Sequence, residues 1–161
     1  TAATATHFAH PVNRFYPALF RAGIITRPID PGEGMDDADR AHLVERGIGL
    51  TNVVRRATAR ADELSRDELR AGGQELLATV ARVRPRVVAI AGITAYRTAF
   101  GQPKARTGRQ ETPPADLWAE NDPWSGTEVW VVPNPSGLNA HHTVDTLADE
   151  YAAAARAAGI L

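Results

Sequence analysis

The stretch "WVVPNPSGLNAHHTVDTLADEY", residues 130–151, carries the least ordinary chemistry in the chain. An apolar run enters Pro, Asn, Pro, Ser and Gly, presents a single Leu, and then starts a helix. Leu138 stands between Gly137 and Asn139, residues suited to tight, exposed backbone. Loop tips are normally polar, so Leu138 either folds back onto the core or serves as a wedge for something outside the protein. A second chemical candidate is Asp62 in "RRATARADELSRDEL", a carboxylate next to Glu63 in a connection that leads into a helix. An acid there either does chemistry or only favours the positive end of the helix dipole. His10, His141 and His142 have no metal-like spacing, and the absence of cysteine excludes disulfides, thiolate zinc sites, iron–sulfur clusters and cysteine nucleophiles. No metal and no cofactor is expected.

The elements that must position these residues can be read from patterning. "VVAIAG" at 87–92 and "EVWVVP" at 128–133 are short apolar runs bounded by Pro and Gly, the pattern of strands buried on both faces of a parallel sheet. "GIGLTNVV" at 47–54 is a weaker strand candidate. Asn13 caps a helix to Ala22 with Gly23 beyond it; Ser65 and Glu68 form a capping box that opens a long amphipathic helix toward Val83; Thr143 starts a final helix to about Ala158. Residues 101–127, with four prolines, read as a surface excursion. Strands alternating with helices predict an α/β fold, a three-layer αβα sandwich with a short, mainly parallel sheet. Ligands of such sheets bind outside the carboxyl ends of the strands. One convergent surface is then expected to collect Phe8, Asp62, Gly92, Asn134 and Leu138.

At 161 residues and 43% apolar content the chain fits one domain, 1–161, with a full core. No stretch approaches the ~18 consecutive apolar residues of a membrane span, and no signal segment opens the chain, so a cytoplasmic protein without membrane contact is expected. The net charge of -1 conceals an uneven distribution. Asp30, Glu33, Asp36, Asp37 and Asp39 crowd together, whereas residues 76–110 lack acids and contain Arg82, Arg84, Arg86, Arg97, Lys104, Arg106 and Arg109. That stretch offers a local basic face for a polyanion, or simply a solvated surface.

Four segments together resemble one family. "HFAHPVNRFYPALFRAGI", "GLTNVVRRATARADELSRDEL", "AGITAYRTAFG" and "WVVPNPSGLNAH" are similar, in family order, to the pocket segment, second signature, third signature and DNA-inserting loop of the mismatch-specific uracil/thymine DNA glycosylases, the Mug branch of the uracil-DNA glycosylase superfamily. The resemblance covers most of residues 3–160. It implies a monomeric repair enzyme that flips uracil, or a mispaired pyrimidine, out of double-stranded DNA and hydrolyses its bond to the sugar. Flipping costs a few kcal/mol of pairing and stacking, least at a mispair. On this resemblance Gly137, Leu138 and Asn139 enter the gap, with Leu138 filling the stack and groups of Gly137 and Asn139 addressing the widowed partner. Phe8 matches the aromatic that stacks on the extruded base, and Asn134 matches a polar pocket residue that serves a base edge or a phosphate. Asp62 replaces a neutral polar residue of the family pattern, where a carboxylate would orient water or stabilise the cationic sugar.

The family's pocket begins with a strand ending in Gly-Ile-Asn-Pro-Gly, whose Asn positions the attacking water. The sequence starts at Thr1, after the place where that motif would lie, and the expectation is that the natural protein has it. Glycosylases that also nick the backbone generally use an amine nucleophile; with Lys104 as its one lysine, in the excursion, the chain suits simple hydrolysis that leaves an abasic site. Two other classes remain open on sequence grounds: a non-catalytic α/β module binding nucleotides or nucleic acid, although it lacks a phosphate-cradling glycine loop, and a flavodoxin-like regulatory domain, in which the "PNPSGLN" wedge has no role.

Overall fold

The computed structural model describes residues 12–30, 32, 34–53, 65–111 and 126–161. Phe8, His10, Val54, Asp62 and Glu63 lie outside the described residues. Within them the chain forms helices α1 (Phe15–Arg21), α2 (Asp37–Glu45), α3 (Arg66–Val83), α4 (Ile93–Ala99) and α5 (Val144–Ala158), and strands β1 (Val87–Ala91), β2 (Gly108–Arg109) and β3 (Glu128–Val132). The expected α/β fold is borne out. No helix among the described residues is long and apolar enough to cross a membrane. The chain divides into two compact units, one from the segments up to Thr51 and from Asn134 onward, the other Asn52–Pro133.

Asn52–Pro133 holds the sheet. β1 and β3 pair in parallel from Val87 opposite Glu128 to Ala91 opposite Val132. β2 adds an antiparallel edge, with Gly108 opposite Val131 and Arg109 opposite Trp130. The sheet order is β1-β3-β2. Two departures from the sequence expectation follow. Residues 47–53 carry no strand, and the stretch read as pure excursion contributes the short β2. The two apolar runs are also less symmetric than strands buried on both faces would be. Ile90, Val129 and Val131 join Leu76 and Val80 of α3 and Tyr96 of α4 in one core cluster. On the opposite face Ala89 is exposed, Trp130 is half-buried with its indole N–H donated to Glu128 Oε2 at 3.1 Å, and Val132 is buried. Small or amphipathic residues at 89 and 130 keep the hydropathy high without requiring cover.

α3 begins at the anticipated capping box: Ser65 Oγ accepts the Glu68 N–H at 3.1 Å, and the Ser65 N–H reaches Glu68 Oε1 at 3.4 Å. Its interior glycines are packing residues. A Cβ on Gly72 would fall on the Val53 carbonyl, and one on Gly73 would meet Ala99 O at 3.2 Å. α4 follows β1 after a single residue, Gly92. Gly92 makes the turn at φ 103°, a conformation open to glycine, while its N–H donates to Val132 O at 2.9 Å.

In the other unit α1 packs on α5, whose Ala148, Ala152, Ala154 and Ala155 allow close approach. Tyr16, Leu19 and Leu147 are buried, and the Phe15 ring stands 6.0 Å from Tyr151. α5 opens on the expected Thr143 cap, which accepts from the Thr146 N–H. Arg46 links the segment after α1 to the residues after α5 by donating Nε to Ile24 O at 2.7 Å and Nη2 to Ile160 O at 3.3 Å. Much of the acidic crowd is structural. Asp36 and Asp39 form the capping box of α2, and Arg27 Nε donates to Asp39 Oδ1 at 2.6 Å. Burial acts to raise the Asp39 pKa, but the bonds from Arg27 and from the Asp36 backbone outweigh it and hold the carboxyl below its ordinary range.

Candidate nucleic-acid interface

β3 leads through Pro133 into residues 134–142, which return to the start of α5. The loop is built largely from its own polar side chains. Asn134 Oδ1 accepts the Ser136 N–H at 3.0 Å, and Ser136 Oγ accepts the Leu138 N–H at 3.2 Å. Both are local side-chain turns of the kind Asn and Ser favour. Asn139 closes the loop: its N–H donates to Ser136 O at 3.0 Å, its Nδ2 to Asn134 O at 3.0 Å, and its Oδ1 accepts the His141 N–H at 3.1 Å.

At the tip, Leu138 is 68% exposed. It does not fold back onto the core, which answers the question raised by its sequence setting. The loop lies against the residues before α1. A Cβ on Gly137 would come 2.7 Å from Val12 Cγ2 and 2.8 Å from Val12 O, so glycine is needed there for close approach. Val12 is itself 57% exposed, and so a second exposed apolar residue lies beside Gly137. Among the described residues, neither the N–H nor the C=O of Gly137 has an intramolecular partner, and the Leu138 carbonyl is equally open.

The candidate residues thus separate into groups. Asn134, Gly137, Leu138 and Asn139 are brought together in one loop, whereas Phe8 and Asp62 are not among the described residues. Asn134 is half-buried and has its Oδ1 engaged in the turn, and its Nδ2 has no partner among the described residues. His142 places Nδ1 3.2 Å from Thr146 Oγ1, and His141 is exposed. Among the described residues no group of three or more His, Asp or Glu is arranged to hold a metal ion.

Sequence reasoning passed over Arg14. Its guanidinium reaches across the chain to the same loop, with Nη2 donating to Ser136 O at 2.5 Å and to Asn139 O at 2.8 Å, and Nη1 donating to His142 O. The signal available was only its place in "PVNRF": Arg14, not the expected Asn13, is the N-cap residue of α1 and makes no side-chain cap, while Asn13 Oδ1 accepts the Phe15 N–H at 2.9 Å in a local turn.

The loop thus holds an exposed apolar residue on a frame bonded by its own side chains. The family model described as the uracil DNA glycosylase superfamily matches residues 1–157. The chain belongs to the uracil DNA glycosylase superfamily. Members are DNA glycosylases, hydrolases that act on uracil in DNA, and a repair function of that type follows for this chain. The match spans both compact units and extends from the Phe8 segment through the Leu138 loop to the last turn of α5.

Proposed function

We propose that the chain is a mismatch-specific uracil/thymine DNA glycosylase, which flips uracil or a guanine-mispaired thymine out of duplex DNA and hydrolyses the N-glycosidic bond without nicking the backbone. The observation that carries this reading is the 68% exposure of Leu138 at the tip of a loop held in shape by hydrogen bonds of its own Asn134, Ser136 and Asn139 side chains. A wedge of this kind offsets unstacking by filling the vacated space. Gly137, Leu138 and Asn139 form the inserting tip. The open N–H and C=O of Gly137 face the widowed base, and Asn139 maintains the tip's shape.

In the reaction, water forms a bond to the sugar's anomeric carbon as the bond to the base nitrogen breaks. Positive charge develops on the sugar and negative charge on the departing base. A donor facing the base and a carboxylate near the sugar each lower that barrier. Asn134 Nδ2 fits the first role, because its Oδ1 is already engaged. We assign Phe8 to stacking on the extruded base, which suits a flat π-surface, and Asp62 to the water or the sugar cation. The enzyme acts as a monomer in the cytoplasm on double-stranded DNA.

The test is single-turnover release of base from uracil–guanine and thymine–guanine duplexes and from single-stranded uracil DNA, read as strand breaks after alkali. Wild-type protein is expected to cleave the duplexes. Leu138→Ala is expected to lose rate on duplex at least tenfold more than on single strands, since only a duplex has a stack to fill. Equal loss on both, with a stability decrease of ~2–5 kcal/mol, is the signature of a truncated core leucine and would remove the wedge reading.

A further inference from the structure

Arg14 makes four hydrogen bonds to the carbonyls of one loop. Its backbone N–H donates to Pro135 O at 2.9 Å, and its guanidinium donates to Ser136 O, Asn139 O and His142 O. These acceptors flank Leu138 on both sides. Pro135 and Ser136 lie on the outgoing arm, and Asn139 and His142 lie on the returning arm. A planar fork carries donors on separate nitrogens and can span acceptors on two strands of chain that lie farther apart than the three donors of one ammonium nitrogen reach. The side chain gives up something for this arrangement: Arg14 Nε is buried without a partner among the described residues. Arg14 also sits directly before α1, whose Tyr16, Ala18 and Leu19 are buried, so the fork is anchored to packed structure.

We infer that Arg14 is a positioning residue for DNA insertion, clamping the two arms of the 134–142 loop so that Leu138 is presented in its inserting conformation before DNA is met. The inference rests on the proposed wedge role of Leu138. A loop ordered only on contact with DNA must be ordered at the expense of binding, whereas a preformed loop carries no such charge on each encounter. The wedge and its clamp should then be energetically coupled, because without a wedge its presentation no longer matters.

The experiment compares Arg14→Lys, Arg14→Gln, Leu138→Ala and the Arg14→Lys/Leu138→Ala double variant in the full chain. The first measurement is backbone hydrogen exchange at Leu138, Asn139 and His141, and it needs no DNA. Arg14→Lys and Arg14→Gln are expected to exchange there at least tenfold faster, while amides in α5 keep their protection. The second is single-turnover uracil release from duplex and single-stranded DNA. Arg14→Lys is expected to lose rate on duplex at least tenfold more than on single strands. In the Leu138→Ala background the same substitution should cost no more than about twofold on duplex, a coupling that general destabilisation would not produce.

Unaltered loop exchange in both Arg14 variants overturns the clamp whatever the activity. Loss of protection throughout α5 shows Arg14 to be a residue of the fold and overturns the positioning role. Fully additive losses in the double variant, with Leu138→Ala still duplex-selective, overturn the link from clamp to insertion. A Leu138→Ala variant with no duplex-selective loss removes the wedge reading itself and, with it, the insertion role of Arg14; the exchange data separate that failure from failure of the clamp.

Discussion

Asp62 precedes the Ser65 cap by three residues, and a carboxylate in that place has two physical outlets. It can favour the positive end of α3, where Asp67 and Glu68 already stand in the first turn, at a value of ~0.3–1 kcal/mol. Alternatively it can orient the attacking water or face the cationic sugar, a role typically worth ~10²–10⁴ in rate. Because the first turn of α3 is already supplied with acids, a further one adds little there, and the second outlet carries the prediction. Asp62→Asn is expected to lower single-turnover uracil release from a uracil–guanine duplex by ~10²-fold or more at saturating protein, with Glu63→Gln close to wild type as the neighbouring control. Retention of most of the rate by Asp62→Asn would confine that carboxylate to the helix end. At this scale the sequence was informative where the type of residue was itself unusual for its place. Leu138 stood out as apolar at a polar tip, but the sequence left open whether it folds back or stands out, and its exposure is seen only in the structure. Arg14 did not stand out, because an arginine beside a helix start is unremarkable and its partners lie 122 to 128 residues away.

Elements were legible wherever their determinants are local. The capping boxes at Ser65 and Thr143 depend on residues three apart, and both helices start where those boxes place them. The two five-residue strands followed from runs bounded by Pro and Gly. What could not be seen locally was which element each one touches. The 47–54 segment has strand-like composition, yet residues 47–53 form none, and Val53 instead runs against the glycine face of α3. Gly72 and Gly73 look like blemishes in an amphipathic helix until that approach is seen. An exposed helix gains about 1 kcal/mol on replacing Gly by Ala, but at Gly72 the added carbon has no space beside the Val53 carbonyl. Gly72→Ala is therefore expected to destabilise by ~1–3 kcal/mol, the range for an overpacked contact, seen as a lower urea midpoint at constant slope. Gly73→Ala meets its nearest neighbour at 3.2 Å and should fall much closer to neutral. A Gly72→Ala protein as stable as wild type would show that the Val53 segment yields freely.

For the whole molecule the governing quantity is where positive charge lies, since the net charge is only -1. The acid-free stretch does not form one uniform basic face. Arg97 Nε and Nη2 both donate to Ala105 O, and Arg109 pairs with Glu128 at 3.3 Å. Arg82 in the last turn of α3, Arg84 at its C-cap and Arg86 just before β1 stand toward the amino end of that strand. DNA approaching the carboxyl ends of β1 and β3, where such sheets bind ligands, would be a strand length away, roughly 16 Å for five residues. That is about two Debye lengths at physiological salt. Arg106 is placed differently, since it precedes β2, which enters antiparallel opposite Val131 near the carboxyl end of β3. Each neutralised phosphate contributes about -0.9 to the slope of log K against log salt. Duplex affinity should fall with salt for the wild type, and Arg106→Gln should flatten the slope by about 0.9. An Arg82→Gln/Arg84→Gln protein should keep the wild-type slope, because those residues stand near the amino end of β1. Fluorescence anisotropy on one labelled duplex across a salt series decides it: a slope lost with Arg82 and Arg84 and kept without Arg106 would place the DNA at the amino end instead.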